Sequence, residues 1–353
     1  MTTIDHTRKT NRLWGAFETL APLVQTAPDT SYKDGNITIT PTRTWVLGGA
    51  RVPVVSGDSI RGATRRALAY HLLEYYGLPP SAVKLSAAHL LLAGGGLSGM
   101  KNELFPDKVA ELRHFCPMIA LLGGTPKGGF LHGRLKAGAW VAQTTSTPGV
   151  MLVPGLEEVP RAEDVLFMDH VARRNFDDPK IWEPDGGSIL DATANDDASG
   201  RDLFTPQPHT YEAVAPGVTF AGWAALGDYR GLTPEDDSTQ RSCLRFGLEK
   251  AFRLDDDGEV VLGLRSASGY GLVRFTWDLS ALESPEIYLS FLEEKRNEIV
   301  GRLQSDYFVA TKKPTRGQAN NQQNGGGAAA TETGDSPAEG SAPDDDDVEE
   351  DAS

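Results

Sequence analysis

The sequence lacks the features that mark several whole classes of protein. Of its 353 residues only two are cysteines, Cys116 and Cys243, set far apart and without a partner pattern. That excludes a disulfide scaffold and suits reduced thiols. Long apolar runs are missing too: the longest nearly uncharged stretch, residues 85–100, is broken by His89, Ser98 and Gly94-Gly95-Gly96 and is shorter than the ~20 apolar residues a bilayer span needs. The opening residues MTTIDHTRKTNRL carry no apolar core of a secretory signal, so a cytoplasmic protein with no membrane partner is expected. Nucleotide fingerprints are also absent. Neither GGGLSGMKN nor GGTPKGGFLHG has the Lys-Ser/Thr pair that follows the last glycine of a P-loop, and neither is G-x-G-x-x-G. His114-x-Cys116, with His132 and Cys243 elsewhere, lacks the paired spacing of a zinc site and reads as buried or surface residues. No cofactor and no metal is expected.

What the chain does have is ordinary globular composition, 39% hydrophobic and 24% charged, enough for a sizeable core. Its charge is unevenly spread. Residues 1–150 carry sixteen Lys/Arg against nine Asp/Glu, a net of +7, whereas residues 151–353 carry eighteen against forty, a net of −22. Ten of those acids lie in residues 331–353, where there is no Lys or Arg. Residues 312–353 are polar and end in DDDDVEEDAS, so they bury too little to offset ordering entropy. A disordered acidic tail is expected there, a solubiliser or a competitor for a basic surface, and residues 1–311 must hold the fold.

Within that region the period of apolar residues alternates between strand-like and helix-like. RLWGAFETLAPLVQ, residues 37–46 and residues 51–55 read as strands. Ser56-Gly57-Asp58-Ser59 then offers helix caps, after which Ile60, Thr64, Leu68, Leu72 and Tyr75 recur at helical spacing up to Gly77 and Pro79-Pro80. Residues 81–93 and 108–122 each predict a helix, and residues 130–144 and 211–226 predict β structure, the latter turned at Pro216-Gly217. Residues 145–205, rich in Pro, Asp and Gly, predict a long irregular insertion. Residues 260–264 and 272–277 flank a glycine loop, and a last helix starts at Ser284-Pro285. The expected class is α+β with a largely antiparallel sheet.

The densest chemistry is SGDSIRGATRR, residues 56–66. The start of a helix presents free N–H groups and the positive end of its dipole, and Arg61 and Arg65, four apart, can fork onto phosphate oxygens from one face. Gly57 and Gly62 would let another backbone approach. Asp58 opposes an anion unless it acts as the cap. Arg43, Arg51, Lys101, Lys127, Arg134 and Lys136, in or beside glycine-rich loops and strands, suit a groove that tracks a nucleic-acid backbone, with Arg66 beside them. Trp45, Tyr70, Phe130 and Trp140 are available for stacking, although aromatics in such positions are commonly core residues. Two carboxylates, Asp29 and Asp34, are the candidates for a divalent ion in phosphodiester cleavage.

These residues resemble a family, the backbone subunits of CRISPR effector complexes within the repeat-associated RAMP superfamily. The stretches that carry the resemblance, in order, are LWGAFETLAPL (13–23), VPVVSGDSIRGATRRAL (52–68), FCPMIALLGGTPKGGFLHGRLKAGAW (115–140), YEAVAPGVTFAGWAAL (211–226) and LGLRSASGYGLVRF (262–275). Length and the segment ALLGGTPKGGFLHGRL are most similar to type IV members. The resemblance implies a modified ferredoxin-like, RRM-type core with a thumb-like insertion, here within residues 145–205. It also implies copies stacked along a guide RNA (crRNA), other effector subunits as partners, and a target nucleic acid recognised by guide pairing. On this chain the RNA contacts would fall to Ser56, Gly57, Ser59, Arg61 and Arg65. Target-cleaving members use an aspartate after the first strand, and neither Asp29 nor Asp34 sits in that motif, so a non-catalytic binder is expected. The alternatives are a metal-dependent endoribonuclease using Asp29 or Asp34, and a protein-interaction scaffold that carries no nucleic acid.

Overall fold

In a computed structural model, which describes residues 11–26, 31–34, 37–95, 106–126, 129–149, 158–172, 208–264 and 266–308, the alternating run RLWGAFET forms β1 (Arg12–Thr19). The short strands β2 (Tyr32–Asp34), β3 (Ile37–Thr40), β4 (Thr44–Leu47) and β5 (Ala50–Val55) lead into α1 (Gly57–Tyr75). Then come α2 (Leu85–Ala93), α3 (Pro106–Phe115), α4 (Pro117–Leu122), β6 (Leu135–Ala137), β7 (Trp140–Ala142) and β8 (Leu166–Ala172). The chain continues with β9 (Pro208–Val214), β10 (Thr219–Leu226), α5 (Pro234–Phe252), β11 (Glu259–Val261), β12 (Leu272–Trp277), α6 (Pro285–Glu294) and α7 (Arg296–Gln304). All described residues fall in one unit, Met1–Ala310; the other, Thr311–Ser353, lies outside them.

The central strands lie in the order β12-β1-β10-β7, each neighbour antiparallel. Taken with α1 after β1 and α5 after β10, this is β-α-β-β-α-β with the strand arrangement of a ferredoxin-like core, as expected. β5 and β4 extend the sheet on one side and β11 on the other. A second sheet, β2-β3-β9-β8, is antiparallel except where β3 meets β9. The turn at Pro216-Gly217 carries the chain from one sheet to the other.

One face of the main sheet packs on helices. Phe17 stacks on Phe220 with ring centroids 4.7 Å apart and packs tilted on Phe275 at 4.9 Å, and Phe252 of α5 closes on Phe275 at 4.2 Å. Trp140 is completely buried in the same cluster. It fits because Gly15 and Gly222, directly opposite in register, leave a slot: a Cβ on either would come within 2.4–2.7 Å of the indole. Trp140 is thus core and is not available for stacking on a ligand.

The expected elements differ from the observed ones where backbone chemistry intervenes. The single helix predicted over residues 108–122 is two, because Pro117 cannot donate to the preceding turn and Cys116 takes an extended ψ of 99°. The last helix likewise breaks, at Lys295 (φ −93°, ψ 8°). The insertion expected at 145–205 is described only at 145–149 and 158–172, and there it is not wholly irregular. β8 pairs residue by residue with β9 from Leu166↔Val214 to Ala172↔Pro208, held by backbone bonds rather than by a side-chain alternation legible in sequence.

α5 was not anticipated. Its start is signalled by Thr233, whose side chain accepts from Asp236 N, by Pro234 and by the acidic Glu235, Asp236 and Asp237. Its buried face is disguised because Thr239, Gln240, Arg241 and Ser242 are buried along with Leu244, Phe246 and Leu248.

His71 of α1 packs edge-on against Phe246 of α5 at 4.3 Å, with a buried Nδ1 that has no partner. Burial lowers its pKa, with Lys250 adding to the effect and Glu74 opposing it. A depressed folded value means the unfolded chain binds the proton first. Its stabilising contribution is therefore complete above about pH 6.5 and is lost as pH falls toward the folded value. Denaturant unfolding between pH 5 and 7.5 should show this slope, and His71→Phe should flatten it.

Candidate nucleic-acid interface

The start of α1 is built by Ser56. Its backbone is extended (φ −70°, ψ 145°), and its hydroxyl accepts from Ser59 N at 3.3 Å. The Ser59 hydroxyl lies 3.1 Å from that of Ser56 and accepts from Gln25 Nε2 at 3.4 Å. Ser56, not Asp58, is therefore the cap. The Asp58 carboxylate is exposed and lies 3.3 Å from Arg61 Nη1. An N-cap of this kind satisfies only part of the first turn, leaving amide hydrogens at the positive end of a nineteen-residue helix.

Gly57 decides how this turn sits. A Cβ there would lie 2.1 Å from the carbonyl oxygen of Ala137 and 2.7 Å from that of Gly138. The close backbone approach expected of Gly57 therefore exists, and its partner is the link between β6 and β7. That link is a bulge. Ala224 pairs with Ala137 and Ala221 with Val141, so three residues on one strand face two on β10. Gly62, by contrast, faces only the Arg66 guanidinium.

Beside the capped turn is a cleft of about 210 Å³, lined by Arg43, Trp45, Val54, Ser56, Gly57, Asp58, Ala137 and Ala139. Strand pairing brings Arg43 and Trp45 there: Val54 N donates to Arg43 O, and Trp45 sits opposite Val52. Trp45 is exposed. Arg66 and Tyr70, one helical turn apart, are exposed on α1.

The other arginines are turned to the protein. Arg65 donates from Nη1 to Leu90 O (3.1 Å) and from Nη2 to Leu122 O (2.8 Å) and Gly123 O (3.0 Å). It thus ties down the carbonyl ends of α2 and α4, where cations are favoured. Burial, with Arg61 nearby, lowers its pKa to about 10. Arg61 Nη2 joins it on Leu122 O at 3.1 Å. The two share one face, as the spacing predicts, but that face looks onto helix ends rather than offering two free forks.

Arg51 is held bidentate by Glu212, at 2.8 Å and 2.7 Å. Arg134 is buried, donating to Gly227 O and Gln240 Oε1 and paired with Asp237. Arg134 therefore lines no open groove, whereas Arg51 stays half exposed with its charge already met by Glu212. A carboxylate withdrawn from water demands a partner, and these arginines supply it for Glu212, which is buried, and Asp237, which is partly so. Lys101, Lys127 and Asp29 lie outside the described residues. Asp34 is exposed in β2, and among the described residues no group of three or more His, Cys, Asp or Glu is placed to hold a metal.

His114 Nδ1 lies 2.9 Å from Asp236, and burial pushes the Cys116 thiol up to about 11, which suits an inert core thiol. Among the described residues no helix is long and apolar enough to cross a membrane.

Sequence reasoning missed Trp14 and Trp223. They stand opposite each other on β1 and β10, with Arg12 over both rings at 5.7 Å and 5.1 Å. The alternation of LWGAFE, with Leu13 and Phe17 inward, could have marked Trp14 as outward. Nothing in the sequence pairs it with residue 223.

No family model matches the chain, and no curated protein matches it. Among solved structures, a chain titled "Type IV-B CRISPR Complex" is similar at a TM-score of 0.43 and 19% identity, over 77% of this chain and 92% of that one.

Proposed function

We propose that this chain is a non-catalytic RNA-binding backbone subunit of a CRISPR effector complex. In this reading it holds guide RNA through sugar and phosphate, multiplies along it as a helical filament, contacts other effector subunits, and leaves bases free to pair with a target. The observation that carries the proposal is the capped first turn of α1, opening beside Arg43 and Trp45 in the basic half of the chain. The motif around that turn is one of the five stretches that carry the family resemblance. In this reading Arg43, which lines the cleft, and Arg66, exposed on α1, are the cations that meet phosphate, while Arg61 is shared with Leu122 O and Arg65 holds the surrounding helix ends.

The test is RNA affinity measured across a salt series. Each lost phosphate contact should lower the slope of log K against log salt by about 0.7 for a single strand. Arg43→Ala and Arg66→Ala should each weaken binding similarly for all sequences and flatten the slope; unchanged slopes in both would overturn the assignment of this site. Magnesium-dependent cutting of guide-paired RNA that is lost with Asp29→Ala or Asp34→Ala would replace the binder with a nuclease.

A further inference from the structure

The sheet has a second face. Along β1, Leu13, Phe17 and Thr19 are buried while Arg12, Trp14 and Glu18 are exposed, so the latter point away from the helices. Register extends this face across three strands. Arg12 is opposite Ala225, which is opposite Lys136 of β6; one step along, Trp14 is opposite Trp223. Opposite residues of antiparallel strands share a face, so two tryptophans and two cations form one patch. Trp14 is 51% exposed although it lies on an interior strand, and its neighbours Ala16, Ala221 and Ala225 are too small to cover an indole.

Gly138 completes the arrangement. A Cβ on it would lie 2.4 Å from Trp223 Nε1, so the Trp223 ring lies over the bulge. The same bulge receives Gly57 through the carbonyls of Ala137 and Gly138. The patch and the start of α1 are therefore built on one shared piece of backbone. Among the described residues, Glu18 shares this face at the far end of β1 from Arg12. Asp278, just past β12, accepts from Ser280 N and Oγ, while Glu259 pairs with Arg274, which stands opposite Glu18 at the far end of β1.

We propose that Trp14 and Trp223, flanked by Arg12 and Lys136, form a stacking platform for unpaired bases of single-stranded RNA. This deepens the function proposed above and rests on it. Indole faces accept any base once the Arg12 guanidinium, which lies over both rings, swings from them onto a phosphate, and with Lys136 it complements a phosphodiester backbone. A strand whose phosphate meets the first turn of α1 crosses the 137–139 bulge and lays the bases nearest it on the indoles, the others staying free to pair. The platform adds a base-dependent contribution to binding that is otherwise to phosphate.

The full chain should be titrated with a labelled oligoadenylate and with an abasic sugar-phosphate strand of the same length. Trp14→Leu and Trp223→Leu should each weaken oligoadenylate binding about tenfold and leave the abasic strand unaffected. Trp14→Phe should retain most of the affinity while losing part of the tryptophan quenching that stacking produces, which separates a lost platform from a misfolded protein. Unchanged oligoadenylate affinity in both leucine variants overturns the platform and leaves the proposed function standing, as does unchanged affinity with a loss of self-association, which would make the patch a contact between copies. Failure of the unaltered chain to bind either strand removes both.

Discussion

Replacing Arg134 by alanine should lower the unfolding free energy by up to about 3–5 kcal/mol, the cost of stripping one partner from a buried ion pair; Arg134 is buried, while Asp237 is a quarter exposed. The Arg134 side chain is 1% exposed and reaches Asp237, Gln240 Oε1 and Gly227 O at once. Its loss strands polar atoms from three places in the chain. Asp237 keeps Arg241, at 2.9 Å, which places the effect toward the lower end. Burial by itself would raise the Asp237 carboxyl, but the hydrogen bonds from Arg134 and Arg241 outweigh it and hold the pKa below the usual value. A depressed folded pKa contributes stability that is present above about pH 4 and lost as pH falls through the folded value. The gap between the two proteins in urea midpoint should therefore be full at pH 7 and narrow in acid. Lys136→Ala, two residues on and exposed, should change the unfolding free energy by no more than about 0.5 kcal/mol. Equal midpoints for Arg134→Ala and the unaltered chain would contradict this account.

Gly57→Ala should be the most damaging single methyl group near the interface. The added carbon would overlap backbone carbonyls of Ala137 and Gly138, which cannot rotate away as a side chain could. Either the first turn of α1 lifts or the bulge shifts, at a cost of roughly 1–3 kcal/mol and occasionally more. RNA affinity should fall with it, because the cleft beside Arg43 is lined by the same atoms. Gly62→Ala makes the control: its Cβ meets only the flexible Arg66 guanidinium at 3.5 Å. In a helix interior that change should stabilise by about 0.4–1 kcal/mol. Melting curves of the two variants should move in opposite directions; a shared direction would mean that the contact with the bulge is not what Gly57 is there to make.

Much of this molecule could be read one element at a time. Alternation in RLWGAFET, the caps and helical spacing after Ser56, the turn at Pro216-Gly217 and the glycine loop before β12 are local signals, because hydrogen-bonding periodicity and φ preference act between near neighbours. The basic half and the helix start were legible for the same reason. α5 escaped because buried polar residues erase the apolar stripe, and β8 escaped because its order comes from a partner strand.

The roles of individual arginines were not legible. Spacing puts Arg61 and Arg65 on one face, but it does not say that the carbonyl ends of α2 and α4 arrive at that face. Composition counts Arg51 and Arg134 as basic surface, yet Glu212 and Asp237, each about a hundred or more residues away, neutralise them. Trp14 and Trp223 become neighbours only through strand register. Local propensity, charge and capping are carried by residues close in the chain and so were already settled in the linear order. Which charges remain free, which aromatics face outward together and which glycine admits a carbonyl depend on segments that meet across long loops, so they are settled only when the sheet closes.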